Sequence, residues 1–179
     1  MRIVAGTRKG HTIAAPRGHD TRPTSDRVRE NAFNLVGPVD AATVLDLFAG
    51  SGAMGMEALS RGAARAVFVE SDRDAVRAIE RNLDKLRLRG ATVLRQDAVR
   101  ALAAEAAAGR TYDLVLVDPP YAMYEDLQPK LARHLPSVLA ADGLLVVETD
   151  ARVEPELPLE LRTSRRYGSA RISLFEHAR

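Results

Sequence analysis

The chain has 179 residues, 46% apolar and 28% charged, with a formal net charge of +2. That length fits one domain, and the composition is that of a folded globular protein rather than a disordered one. No apolar run approaches the roughly 18 residues of a membrane span. The opening MRIVAGTRKG lacks the apolar stretch of a signal peptide, so a cytoplasmic protein is expected. Cysteine is absent, which removes disulfides, thiolate metal sites and a cysteine nucleophile, and the four histidines (His11, His19, His134, His177) lack metal-ligand spacing. No metal is expected. Arginine outnumbers lysine 23 to 3, a bias that suits planar recognition of phosphate and bases but that a GC-rich genome produces equally well.

Residues 1–17 carry four basic side chains (Arg2, Arg8, Lys9, Arg17) and no acidic one, with Gly6 and Gly10 placed for a hairpin. Such an arm can contact phosphates, although a solvated hairpin has the same composition. Thr24 or Ser25 can cap a helix whose Val28, Ala32 and Leu35 share one face. TVLDLF (43–48) reads as a buried strand, followed by glycines and a helix through Met56–Leu59. AVFVE (66–70) is a second strand. Ser71-Asp72-Arg73-Asp74 then has capping-box spacing, and Val76, Ile79, Leu83 and Leu86 stripe the next helix. Its other face repeats Arg73, Arg77, Arg81 and Lys85, a pattern more often solvated than RNA-contacting.

ATVLRQ (91–96) is a third strand, and an alanine-rich helix runs from there to Gly109. YDLVLVD (112–118) is apolar almost throughout, as a parallel strand covered on both faces should be. Leu127, Leu131, Leu135 and Val138 mark another helix, and GLLVVE (143–148) a fifth strand. The tail offers two β segments around Tyr167-Gly168, an antiparallel pair for a sheet edge. Strands alternating with helices predict an α/β, Rossmann-like, doubly wound and mostly parallel sheet. An arm over 1–37 and a body over 38–179 would form one compact unit. Ligands of such sheets bind beyond the carboxyl ends of the strands, so loops 49–55, 70–72, 96–98 and 118–124 are the candidate site.

Gly50, Gly52 and Gly55 satisfy G-x-G-x-x-G between a strand and a helix. They permit a tight turn and close approach of a ligand to backbone N–H groups. Glu70, ending the next strand, can accept from both hydroxyls of a ribose. These features fit a nicotinamide dinucleotide or S-adenosylmethionine. Asp46 favours the second, because a carboxylate below the loop can meet an ammonium group and offers nothing to a diphosphate. The chain is also short for the added substrate domain of many dehydrogenases. Asp97 and the Ala98 N–H suit an adenine, with an N-cap role as the plainer use of Asp97.

Asp118-Pro119-Pro120-Tyr121 ends the fourth strand. Two prolines fix φ and leave a rigid turn, so the Asp118 carboxylate and the Pro119 carbonyl form an acceptor pair for an exocyclic –NH2. Holding both hydrogens aims the nitrogen lone pair at an incoming methyl group, and the Tyr121 ring can stack on the base. Without a thiol, the covalent route of pyrimidine C5 methylation is closed, which leaves an amino nitrogen as the better target.

The glycine loop, Glu70 and DPPY resemble a class I S-adenosylmethionine-dependent methyltransferase of the exocyclic-amine type. DPPY itself is only class-specific. The segment RPTSDRVRENAFN (22–34), with RIVAGTRKG before it and LDLFAGSGAMGMEALSRGA after it, closely resembles the RsmD family of bacterial 16S rRNA guanine-N2 methyltransferases. The likeness is specific up to about position 150. It implies methyl transfer from S-adenosylmethionine to the N2 amine of one guanine in 16S rRNA, within an assembled small subunit; a monomer is expected. It implies catalysis by Asp118, Pro119, Pro120 and Tyr121. The cofactor would be held by Thr24, Arg27, Asp46, Phe48, Gly50, Gly52, Glu70, Ser71, Asp97, Ala98 and Asp118. Arg2, Arg8, Lys9, Arg17 and Arg22 become the candidate RNA contacts. The residues alone leave an N6-adenine methyltransferase and an NAD-dependent oxidoreductase as alternatives.

Overall fold

Apolar strand segments that are covered on both sides must be centrally placed, and they are. In the computed structural model, which describes residues 1–17 and 24–179, β1 (Thr43–Leu47), β2 (Arg65–Glu70), β3 (Ala91–Arg95), β4 (Tyr112–Val117), β5 (Leu139–Asp150), β6 (Glu160–Tyr167) and β7 (Ala170–Glu176) form one seven-stranded sheet in the order β3-β2-β1-β4-β5-β7-β6. The first five strands run parallel, and β7 pairs antiparallel with both β5 and β6. The doubly wound, mostly parallel sheet with an antiparallel C-terminal edge is the expected one.

Among the described residues five α-helices cover it: α1 (Asp26–Val36), α2 (Ala53–Ser60), α3 (Arg73–Leu86), α4 (Ala98–Ala107) and α5 (Tyr124–Val138). The core divides by strand parity. Val44, Phe68, Leu114, Leu116 and Val146 face the side covered by α1, α2 and α3, where Phe33, Met56 and Ile79 complete the packing. Leu45, Leu47, Val69, Val115 and Val147 face α4 and α5 and meet Leu102, Leu131 and Leu135. Among the described residues no helix is long and apolar enough to cross a membrane.

The N-terminal segment folds back on itself through one antiparallel bridge, Arg2 to Thr12, with a 3-10 turn at Gly6–Arg8. Its two isoleucines, Ile3 and Ile13, are buried in the core on the α1–α3 side. Glu57 of α2, itself fully buried, anchors this segment: its carboxylate accepts from the Val4 and Ala5 N–H groups at 3.0 and 2.9 Å, and from Arg29 and Arg61 at 3.2 and 3.0 Å. Four donors fill the four lone-pair sites of one carboxylate.

Three local details differ from the pattern-based expectation. Asp72, rather than Ser71, caps α3 by accepting from the Ala75 N–H. The inner face of α1 centres on Arg29, Ala32 and Phe33, so a charged residue lies where periodicity placed only Val28, Ala32 and Leu35. Burial of Arg29 is possible because Glu57 and Asp26 neutralise it. Finally, β5 begins at Leu139 rather than Gly143, and its register against β4 shifts between Leu139 and Leu144.

Candidate active site

The chain leaves β1 in an unusual conformation. Phe48 has φ +60°, Gly50 +57° and Gly52 +80°. For phenylalanine this left-handed region costs on the order of 1–3 kcal/mol, so the surroundings must hold it there. They do: the Ala49 N–H donates to the Val69 carbonyl and the Gly50 N–H to Glu70 Oε2, at 3.0 and 2.8 Å. Glu70 Oε1 meanwhile accepts from the Asp72 N–H at 2.9 Å. One carboxylate thus joins the glycine loop to the start of α3, and each of its oxygens keeps a second lone pair for a ligand hydroxyl.

The three glycines divide the work. A Cβ on Gly55 would stand 2.3 Å from Phe68 Cε1, and one on Gly52 2.8 Å from Met56 Cε, so both permit packing. At Gly50 a Cβ would meet nothing nearer than the Phe48 carbonyl oxygen at 4.0 Å. The first glycine is therefore the one whose outer side stays open.

Strand register arranges three carboxylates on the α1–α3 face. Asp46 pairs with Leu116, and Leu116 with Val146. Asp118 and Glu148 each follow two residues later, on the same face by strand alternation and one step nearer the carboxyl end. Asp46 is 2% exposed, and its Oδ2 accepts from the Gly55 N–H at 2.9 Å, capping α2 in place of the side chain that Gly52 lacks. Burial, and then the nearby charge of Glu70, push Asp46 up to about 7 against the one lowering contact from Gly55. Burial and the Glu148 charge also raise Asp118 well above the carboxylate range, and burial raises Glu148. No ion pair with a cationic side chain neutralises these three acids among the described residues.

Thr24 closes the group from the N-terminal side. Its hydroxyl lies 2.8 Å from Asp118 Oδ2 and 3.2 Å from Glu148 Oε2, while the Tyr121 hydroxyl donates to Glu148 Oε1 at 2.8 Å. Pro119 is buried and Pro120 exposed. The Pro120 carbonyl accepts from the Met123 N–H at 2.9 Å, which closes the 3-10 turn carrying Tyr121. Glu148 escaped sequence reasoning because one acid at the end of LLVVE resembles a solvated strand end. Its signal was position: it ends a central strand beside the DPPY turn.

The other candidates lie around this centre. Asp97 is exposed and caps α4, with Oδ1 accepting from the Arg100 N–H at 3.0 Å, and Ala98 is buried as the first residue of that helix. Ser71 and Arg27 are exposed. Arg8 turns to the C-terminal end of α3, where it donates to the Leu86 and Arg87 carbonyls, and Lys85 donates to Thr12. The side chains of Arg2, Lys9 and Arg17 are exposed. Arg22 lies outside the described residues. Among the described residues no group of three His, Cys, Asp or Glu could hold a metal ion.

The family described as "Conserved hypothetical protein 95", the RsmD family, matches residues 1–176. The chain belongs to this family. Ribosomal RNA small subunit methyltransferase D of Escherichia coli (strain K12) is 39% identical over 161 residues, covering 88% of this chain and 78% of that protein. YlbH of Bacillus subtilis (strain 168) is 39% identical over 186 residues, or 98% of each chain. Among solved structures, yhhF from Escherichia coli superposes with a TM-score of 0.87 at 33% identity, covering 100% of this chain and 99% of that one. The RsmD-family match spans the Thr24 segment, the glycine loop and the DPPY turn together, so the residues gathered around Asp118 all lie within it.

Proposed function

We propose that this chain transfers a methyl group from S-adenosylmethionine to the exocyclic N2 amine of a guanine in 16S rRNA, acting as a monomer on the small ribosomal subunit in the cytoplasm. The observation that carries this reading is the trio Asp46, Asp118 and Glu148, with Asp46 and Glu148 buried and Asp118 half-buried, and with no ion pair to a cationic side chain among the described residues. A site rich in acceptors, with no cationic partner among the described residues, suits a ligand that brings positive charge, and S-adenosylmethionine brings an ammonium and a sulfonium. Membership of the RsmD family and the name of the Escherichia coli relative support ribosomal RNA as substrate. The N2 amine rests on the resemblance of the 22–34 segment and the DPPY turn.

In this reading Asp46 accepts from the cofactor's ammonium group, with Thr24 and Arg27 at the same end. The remaining lone pairs of Glu70 receive the ribose hydroxyls. Asp97 and the Ala98 N–H read the adenine, and Phe48, Gly50, Gly52 and Ser71 line the path between. Bound S-adenosylmethionine supplies an electrophilic methyl carbon. Asp118 and the Pro119 carbonyl accept the two hydrogens of the target amine and expose its lone pair, Pro120 stiffens the turn, and Tyr121 stacks on the base. Positioning and electrostatics supply the rate. Residues 1–37 wall the cofactor and RNA side, with Arg2, Arg8, Lys9, Arg17 and Arg22 as phosphate contacts, while 38–179 carries the catalytic body.

The test is transfer of labelled methyl to small subunits that lack the modification. Digestion is expected to yield N2-methylguanosine from 16S rRNA. Label in N6-methyladenosine or in protein overturns the assignment.

A further inference from the structure

The Thr24 hydroxyl faces two carboxyl groups with one hydrogen to give. At 2.8 Å from Asp118 Oδ2 and 3.2 Å from Glu148 Oε2 it is within hydrogen-bonding reach of both. If both acids were ionised, one of these contacts would be oxygen against oxygen with no proton between. A single proton on the pair satisfies every contact: Glu148 Oε2 donates to Thr24, Thr24 donates to Asp118, and Tyr121 donates to Glu148 Oε1. The shorter contact falls on Asp118, as it does when the acceptor is the charged partner. By solvent exposure Glu148 is the more enclosed acid, at 7% against a half-buried Asp118, and a neutral Glu148 removes the neighbouring charge that helps raise Asp118.

We propose that Glu148 is a positioning residue of the reaction centre, holding the proton of this acid pair so that Asp118 faces the target amine as a carboxylate. Through the same contacts Glu148 fixes Thr24 and the Tyr121 ring. The role of the amine rests on the function proposed above, whereas the location of the proton does not. Among the described residues, the charged groups around Glu148 are consistent with this. Asp118 stands beside it and Asp46 one step deeper. Arg165 on β6 shares its register through Ile172 but is exposed. Arg27 and Glu30 on α1, which packs against β7, are exposed as well.

Infrared difference spectroscopy of wild type against Glu148→Gln, without cofactor at neutral pH, reads the proton directly. A protonated-carboxyl stretch that shifts in heavy water and disappears in Glu148→Gln is expected. If no such band is lost, Glu148 is ionised and the proposal is wrong. Turnover gives the second readout. Glu148→Ala is expected to lower kcat on the order of tenfold or more, with the KM for S-adenosylmethionine little changed. Glu148→Gln, which keeps a neutral donor and acceptor, is expected to recover most of that loss. Equal impairment in both variants refutes positioning by a neutral acid. Should the wild type fail to methylate rRNA at all, the proposed function fails, while the infrared result still decides where the proton lies.

Discussion

Arg29 and Glu57 meet at 3.2 Å with neither side chain exposed to solvent. Their bond ties α1 to α2, and the remaining lone pairs of Glu57 hold the backbone of Val4 and Ala5 and the side chain of Arg61. Glu57→Ala strands all four donors, whereas Arg29→Met takes away one of the four donors to Glu57, the charge that Glu57 neutralises, and the Arg29 bonds to Asp26 and the Arg2 carbonyl. Breaking a buried pair costs about 3–5 kcal/mol. Glu57→Ala is expected at or beyond that range and Arg29→Met below it, partly because Arg29 Nη1 already lacks a hydrogen-bond partner among the described residues. Urea unfolding midpoints compare the two, and the reverse order would contradict this account of the anchor.

Gly55 inverts a common rule. Replacing a helical glycine by alanine ordinarily stabilises by roughly 0.5–1 kcal/mol. Here the added methyl would lie 2.3 Å from the Phe68 ring and 3.0 Å from Asp46 Oδ2. Gly55→Ala should therefore destabilise by about 1–3 kcal/mol through overpacking. Pairing it with Phe68→Leu should return part of the loss, as thermal melts of the single and double variants would show.

Asp46 links stability to pH. Its carboxyl is raised from 3.8 to about 7 by burial. Below 3.8 both folded and unfolded states hold the proton, and the residue is neutral to stability. Between 3.8 and about 7 the unfolded state releases the proton first, so the folded state binds more protons and stability falls as pH rises. Above about 7 the loss is complete. Asp46→Asn is expected to be more stable than wild type at alkaline pH and to lose that advantage on acidification, while binding S-adenosylmethionine more weakly. Denaturation and calorimetric titration at two pH values would test both halves. An advantage that is constant with pH would rule out the titration as its source.

Asp118→Ala separates binding from transfer. The acid that faces the amine goes, while Glu70, Asp46 and the glycine loop remain. Affinity for S-adenosylhomocysteine should change little, and methyl transfer should fall by about two orders of magnitude or more, the scale of lost positioning. Near-normal turnover would remove Asp118 from the mechanism.

Much of this fold is legible in the amino-acid sequence. The run YDLVLV could only be a strand covered on both faces, and the stripe Val76, Ile79, Leu83, Leu86 faces the core as periodicity required. The candidate site was legible where a motif concentrates in a few consecutive residues, as in GSGAMG and DPPY. Glu148, Arg29 and Glu57 were not legible. Each is a charged residue whose burial depends on a partner far along the chain, and a sequence pattern weighs charge without knowing that partner. The capping of α3 by Asp72 was missed for a smaller reason: two adjacent residues, Ser71 and Asp72, both have the chemistry of a cap.

The saturated carboxylate of Glu57 also sets what ionic strength can and cannot disturb. Salt weakens contacts to phosphate, because each neutralised phosphate gives up condensed counterions when bound and regains them when released. It screens an ion pair sealed from solvent far less. Raising the salt should therefore loosen any grip on RNA while the N-terminal arm stays seated. A salt titration of RNA affinity would then count electrostatic contacts on an arm that has not moved.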